Sequence, residues 1–178
     1  AFLGLRPNSK DEADLQKAGE LLASITPYVQ KFNSSEYINA LANGDICVAV
    51  GYSGDVLQAR NRAEEAKNNV NIGYFIPKEG ALIWFDSFAI PADAPHKDEA
   101  LAFINFMLDP KIAARNSDYV AYASGSKDAQ PLIDKEIIDD PSVYPKAETF
   151  EKLFTTTPND PKVQRIVTRL WTKIKSGS

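Results

Sequence analysis

Between Leu15 and Ile25 the apolar positions recur every three or four residues, at Leu15, Ala18, Leu21, Leu22 and Ile25. That spacing lines one face of a helix. Ser9 and Glu12 stand just ahead in capping-box spacing and mark its start. A second helix is predicted over "EYINALAN", with Ser34 or Ser35 as its cap and Gly44 as its stop. The pattern then changes. "ICVAVG" is a continuous β-branched run and reads as a buried strand. "DVLQARNRAEEAKN" returns to helical period with one polar face. "VNIGYFI" reads as a second strand closed by the turn "PKEG", and "ALIWFDSFAIP" as a third. "KDEALAFINFMLD" is apolar on most sides and is expected to be a well-buried helix. "DPKIAARNSD" follows, with Pro110 at a first helical position. "YVAYASGSKDAQP" looks like a loop. "PLIDKEII", "YPKAETFEKLF" and the amphipathic "DPKVQRIVTRLWTKIK" complete the chain as helices.

Strands alternating with helices argue for an α/β layered domain with a largely parallel sheet. No clear strand remains after Pro91, which is odd for one complete domain. The chain is expected to leave one α/β unit near residues 80 to 91 and to continue as helices packed on another.

Composition narrows the function classes. The net charge is -4 and no basic run occurs, which argues against nucleic acid as the main partner. No apolar stretch approaches the roughly 20 residues of a membrane span. Ala1 is not an initiator methionine, so an upstream segment is expected to have been removed. Cys47 is the lone cysteine; it lies inside the apolar run and reads as a small buried hydrophobe. With one cysteine and one histidine, His96, a multi-ligand zinc site is not expected. No cofactor motif is present. Asn33-Ser34-Ser35 matches a glycosylation sequon, relevant only in a eukaryotic secreted protein.

Gly51-Tyr52-Ser53-Gly54-Asp55 is where chemistry concentrates, on an expected strand-to-helix turn. A nucleophile elbow would read Gly-x-Ser-x-Gly, with Ser53 as nucleophile. Asp55 stands where the last glycine belongs, and His96 would be the one base available. A phosphate cradle suits the glycines and the helix start. Asp55, however, puts a carboxylate where phosphate would sit, and no lysine follows. The plainest reading makes Asp55 the helix N-cap, with Gly51 and Gly54 supplying turn conformations.

Trp84 and Asp86 add a second constellation. Two residues apart on a strand, they share a face, while Phe85 takes the other. A carboxylate on a buried strand needs a cation or several donors. An Arg or Lys from the fold is one partner, and a ligand cation is the other. Tyr52 with Asp55 and Trp84 with Asp86 then repeat one chemistry. Aromatic faces cover methylene chains and attract ammonium groups, and carboxylates hold the amine ends. Tyr122 in "SDYVAYAS" could join them.

With these residues in view, the sequence resembles the periplasmic polyamine-binding proteins of bacterial spermidine and putrescine ABC transporters. The resemblance is carried by "SSEYINALANGDICVAVGYSGDVLQARNRAEEA", "IPKEGALIWFDSFAIPADAPHKDEALAFINFMLDP", "SDYVAYA" and "RLWTKIKSG". It covers essentially the whole chain but only about the C-terminal half of a typical member. It implies the C-terminal portion of a two-lobed α/β receptor of periplasmic-binding-protein type II, which binds and does not catalyse. Residues 1–80 would then be the second part of the C-terminal lobe, 81–91 a hinge crossover strand, and 92–178 helices packing on the N-terminal lobe.

Carried over by motif, the resemblance makes Tyr52 an aromatic cover, Asp55 and Asp86 amine-binding carboxylates, Trp84 a platform for methylenes and Tyr122 a closing tyrosine. Tyr52 departs from the tryptophan that is commoner in the family, and the aromatic at the place of Trp84 varies. The choice of amine therefore stays open among putrescine, spermidine and a shorter amine such as γ-aminobutyrate. The implied partners are a small-molecule amine, the N-terminal half of the same fold and an ABC transporter permease. The chain would be a fragment, a processed piece or one segment of an engineered sensor.

Overall fold

The computed structural model describes residues 1–177. The helices follow the predicted order: α1 (Glu12–Ile25), α2 (Tyr37–Asn43), α3 (Ser53–Ala66), α4 (Lys97–Leu108), α5 (Pro110–Val120), α6 (Lys135–Ile138), α7 (Ala147–Phe150) and α8 (Pro161–Ser176). Their ends differ in detail. Asp11, not Ser9, caps α1: its carboxylate accepts from the Ala13 N–H at 2.8 Å and the Asp14 N–H at 3.2 Å. Ser9 instead donates to the Asp14 carboxylate at 2.6 Å. Glu36, with no side-chain cap bond, precedes α2 in place of a serine cap. Gly44 does end α2, in the left-handed region at φ 79°, where its N–H satisfies Ala40 and Leu41 carbonyls.

The three expected strands form no ladder among the described residues. The sole β-bridge there is parallel, between Leu82 and Phe154, with the Ile83 N–H donating to Phe154 O at 2.9 Å. Residues 71–76 nonetheless alternate as a strand does, while 46–50 turn only part of their apolar surface to the core. Ile46, Ala49, Ile72 and Tyr74 pack on a core of Tyr37, Leu41, Ala42, Val56 and Ala59. Their neighbours Val48, Val50 and Phe75 are exposed. A ladder needs a second backbone at about 4.8 Å, and an extended run without one keeps its outer side chains in solvent. Cys47, expected in the interior, is exposed for the same reason. The apolar helix α4 is likewise not buried: Leu101, Phe103, Phe106 and Leu108 are all half or more exposed, and Phe103 packs edge-on against Phe88.

The chain divides into two compact units. The first comprises Ala1–Asn33, Pro77–Trp84 and Glu151–Ser178, and the second Ser34–Ile76 and Phe85–Phe150. The sequence reading divides the chain at 80 and 91, and one change of unit, between Trp84 and Phe85, falls between these positions.

In the first unit α1 packs on α8, close enough that Gly19 faces Leu170. Asp160 caps α8 through the Lys162 and Val163 N–H groups, with Pro161 at its first turn. Lys10 clasps the two ends of this unit. Its ammonium donates to Asn8 Oδ1 at 2.9 Å, Thr157 O at 2.9 Å and Asn159 Oδ1 at 2.5 Å. In the second unit α3 packs on α2 and α5 around three small apolar clusters, in which Leu57 is the largest fully buried side chain.

Candidate functional site

The site lies at the start of α3, in the second unit. Tyr52 is extended and occupies the N-cap position without a side-chain cap bond. Asp55 is therefore the third helical residue, not the N-cap that local logic suggested. At that position a carboxylate is favoured by the unpaired N–H groups and the dipole of the helix start.

Two tyrosines hold Asp55. Tyr37, the first residue of α2, donates its hydroxyl to Asp55 Oδ2 at 2.6 Å. The same oxygen of Tyr37 accepts the Tyr52 N–H at 3.1 Å. Tyr122 donates to Asp55 Oδ1 at 3.1 Å. Tyr122 lies just past α5, which ends at Ala121 in the left-handed region. Buried Ser117 fixes this turn by donating to Tyr122 O at 2.5 Å.

The glycines serve this arrangement by having no Cβ. Neither Gly51 nor Gly54 has a positive φ, so neither is required by a turn conformation. A Cβ on Gly51 would fall 2.8 Å from Tyr37 Cζ, and one on Gly54 would fall 2.7 Å from Tyr122 Cζ, with other ring atoms nearer still. The two rings occupy the space that side chains would take.

Burial raises the pKa of both phenols, and the Asp55 carboxylate raises it further. Tyr37 is pushed from 10.0 up to about 12, and Tyr122 moves the same way. Raised values mean that the folded state prefers the neutral phenol. Its contribution to stability is complete below pH 10.0 and is lost as pH climbs through about 12. Urea midpoints of the full-length protein are expected to fall across that alkaline window. In Asp55→Asn the tyrosinate absorbance should rise at lower pH, although burial, the larger cause, keeps the values above normal. A wild-type midpoint that stays flat across the window would contradict this account.

The structure thus brings Tyr52, Asp55 and Tyr122 together. Tyr52 is half-exposed. Asp86 is in the same unit but makes no hydrogen bond to this cluster among the described residues. It is exposed rather than carried on a buried strand, and no ion pair to a protein cation forms there among the described residues. Trp84 belongs to the first unit.

Ser53 opens α3, and His96 sits exposed with Glu99 as its neighbour at 3.8 Å, so the two are not paired as nucleophile and base. No group of three or more metal-ligating side chains occurs among the described residues. Two cavities of about 280 and 410 Å³ lie in the first unit, lined by α1 with the N-terminal segment and by α1 with α8. Neither is lined by Asp55, Tyr37 or Tyr122.

Sequence reasoning missed Tyr37. It occupies an apolar position of an amphipathic helix, where its ring reads as core. The available signal was the pair of glycines, whose close approach to two rings needs two aromatics.

Comparison with known proteins gives consistent matches. Residues 2–145 match the family described as bacterial extracellular solute-binding protein. The chain is 52% identical over 177 residues to the putrescine-binding periplasmic protein PotF of Escherichia coli. It is 51% identical over 176 residues to the putrescine-binding periplasmic protein SpuD of Pseudomonas aeruginosa. Each alignment takes 99% of this chain and 48% of the relative. A crystal structure of the spermidine/putrescine ABC transporter substrate-binding protein PotD from Streptococcus pneumoniae superposes with a TM-score of 0.77 at 32% identity, over 98% of this chain and 52% of that one. The chain therefore spans about half the length of the relatives it matches, and over that half it has part of their two-lobed α/β fold.

Proposed function

Because the chain belongs to the bacterial extracellular solute-binding proteins, we propose that it supplies part of a site for a small di- or polyamine of the putrescine or spermidine type. The observation that carries this is the Asp55 carboxylate, oriented by two tyrosine hydroxyls beside the half-exposed ring of Tyr52. A carboxylate oxygen has about two acceptor sites. With one tyrosine on each oxygen, an acceptor site remains on both for an ammonium group. Tyr52 covers the adjoining methylenes, and Tyr122 closes over the amine while holding Asp55. Asp86 takes the second amine. For Trp84 the assignment rests on the sequence alone.

The proposal extends to binding without catalysis, in the periplasm, with delivery of the amine to an ABC transporter permease. The other half of the two-lobed fold completes the site. We place the hinge crossover at residues 81–91, supported by the change of unit between Trp84 and Phe85. Calorimetric titration of the full-length protein with putrescine, spermidine, γ-aminobutyrate and the uncharged diol of putrescine's length tests the reading. The diamine or triamine is expected to bind, and the diol is expected not to. Equal binding of the diol, or no binding of any amine, would refute it. Preference for γ-aminobutyrate would move the assignment to a receptor for that amine.

A further inference from the structure

We propose that Tyr37 is a positioning residue that turns a helix cap into a ligand-binding arm. The inference rests on the reading of Asp55 as the amine-binding carboxylate.

In an ordinary capping box the carboxylate at the third helical position reaches back to the N–H of the N-cap residue. Asp55 stands at that third position, and Tyr52 is the N-cap. The direct contact is replaced by a relay, in which the Tyr52 N–H donates to the Tyr37 hydroxyl and that hydroxyl donates to Asp55 Oδ2. The directions are fixed. A backbone N–H can only donate and a carboxylate can only accept, so the single phenolic proton must face Asp55.

The inserted hydroxyl has two effects. It satisfies the N-cap N–H, which no side chain of the helix caps. It also props the carboxylate one oxygen further from the backbone, where Tyr122 meets its other oxygen. Without it, Asp55 would spend an oxygen on its own helix. Tyr37 is 8% exposed and its ring is wedged among Leu41, Ala42, Val56 and Ala59 beneath Gly51, so the position of the hydroxyl is set by packing and not by the ligand. This distinguishes it from Tyr52, which is half-exposed.

Tyr37→Phe keeps the ring and removes the relay. In the full-length protein its putrescine affinity, read by calorimetry, is expected to fall about tenfold, the size of a lost hydrogen bond to a charged group. The same change in an Asp55→Asn background is expected to cost nothing measurable. A merely structural role would cost the same in both backgrounds, and equal costs would overturn the proposal, as would an unchanged affinity in Tyr37→Phe alone. If Asp55→Asn by itself leaves putrescine binding intact, the reading of the site has failed and the proposal with it. A second measurement serves should the variant fold poorly. In wild type near neutral pH the Tyr37 hydroxyl proton should exchange slowly and show a nuclear Overhauser contact to the Tyr52 amide, whereas a freely exchanging hydroxyl with no such contact would sink the relay.

Discussion

Replacing Asp55 with alanine is expected to weaken putrescine binding by about thirty-fold or more, and up to several thousand-fold. Removing one partner of a hydrogen-bonded charge pair costs about 2 to 5 kcal/mol, and each 1.4 kcal/mol is tenfold. Asp55 is partly buried rather than sealed, which favours the lower part of that range. The substitution also strands two phenolic donors, on Tyr37 and Tyr122, that now share one acceptor. Stability should therefore fall by roughly 1 to 3 kcal/mol in the absence of ligand. Asp86→Ala separates the two effects: Asp86 is exposed and outside the tyrosine cluster, so it should lose affinity without losing stability. Calorimetry with chemical unfolding of the same samples provides both readings. Unchanged putrescine affinity in both variants would remove these carboxylates from the site.

The second large effect is on folding. Gly54→Ala is expected to destabilise the protein by about 3 kcal/mol. A Cβ there overlaps the ring of Tyr122, and overpacking of this kind costs roughly 1 to 3 kcal/mol. The ring cannot retreat without giving up Asp55, which adds about 1 kcal/mol for the lost hydrogen bond. Most of the penalty should vanish when Tyr122→Ala is introduced as well, because the colliding ring is then gone. Gly73→Ala is the matched control: nothing lies within 4 Å of its Cβ position and its φ is not positive. Urea midpoints for the four proteins decide the matter. A Gly54→Ala penalty that persists without the Tyr122 ring would show that backbone conformation, not packing, requires the glycine.

What the sequence could say depended on how far apart the cause and the effect lie. Helix α1 and helix α8 were legible because their apolar stripes are local, and so were Gly44 and Pro110 as punctuation. The strands were misjudged because "ICVAVG" states only that one face seeks burial, while a ladder depends on a neighbouring backbone. The same error placed α4 in the interior, since its composition records a demand for apolar contact and not where that contact comes from.

At the site, Asp55 and Tyr122 were singled out by their chemistry and then by the resemblance, and the structure joins them across 67 residues. The reading of Asp55 as N-cap came from local propensity and failed by three positions. Gly51 and Gly54 were assigned to turn formation because sequence shows a missing side chain but not what fills its place. Tyr37, 18 residues before Asp55, was signalled only indirectly, through those glycines.

The interleaving of the two units has a consequence for the order of assembly. Helix α1 packs on α8, and the bonds between their neighbourhoods span about 150 residues: 149 from Asn8 to Thr157 and 148 from Thr26 to Ile174. Helices α2 and α3, by contrast, are joined by bonds spanning 15 and 18 residues. On a ribosome adding about 5 to 20 residues per second, α1 emerges roughly 8 to 30 s before its partner exists. Its apolar stripe, and the Lys10 clasp that closes over Thr157 and Asn159, must wait while the second unit is already able to form. The Tyr37 bond to the carboxylate is thus a product of early, short-range folding, the Tyr122 bond across 67 residues comes later, and the first unit closes last.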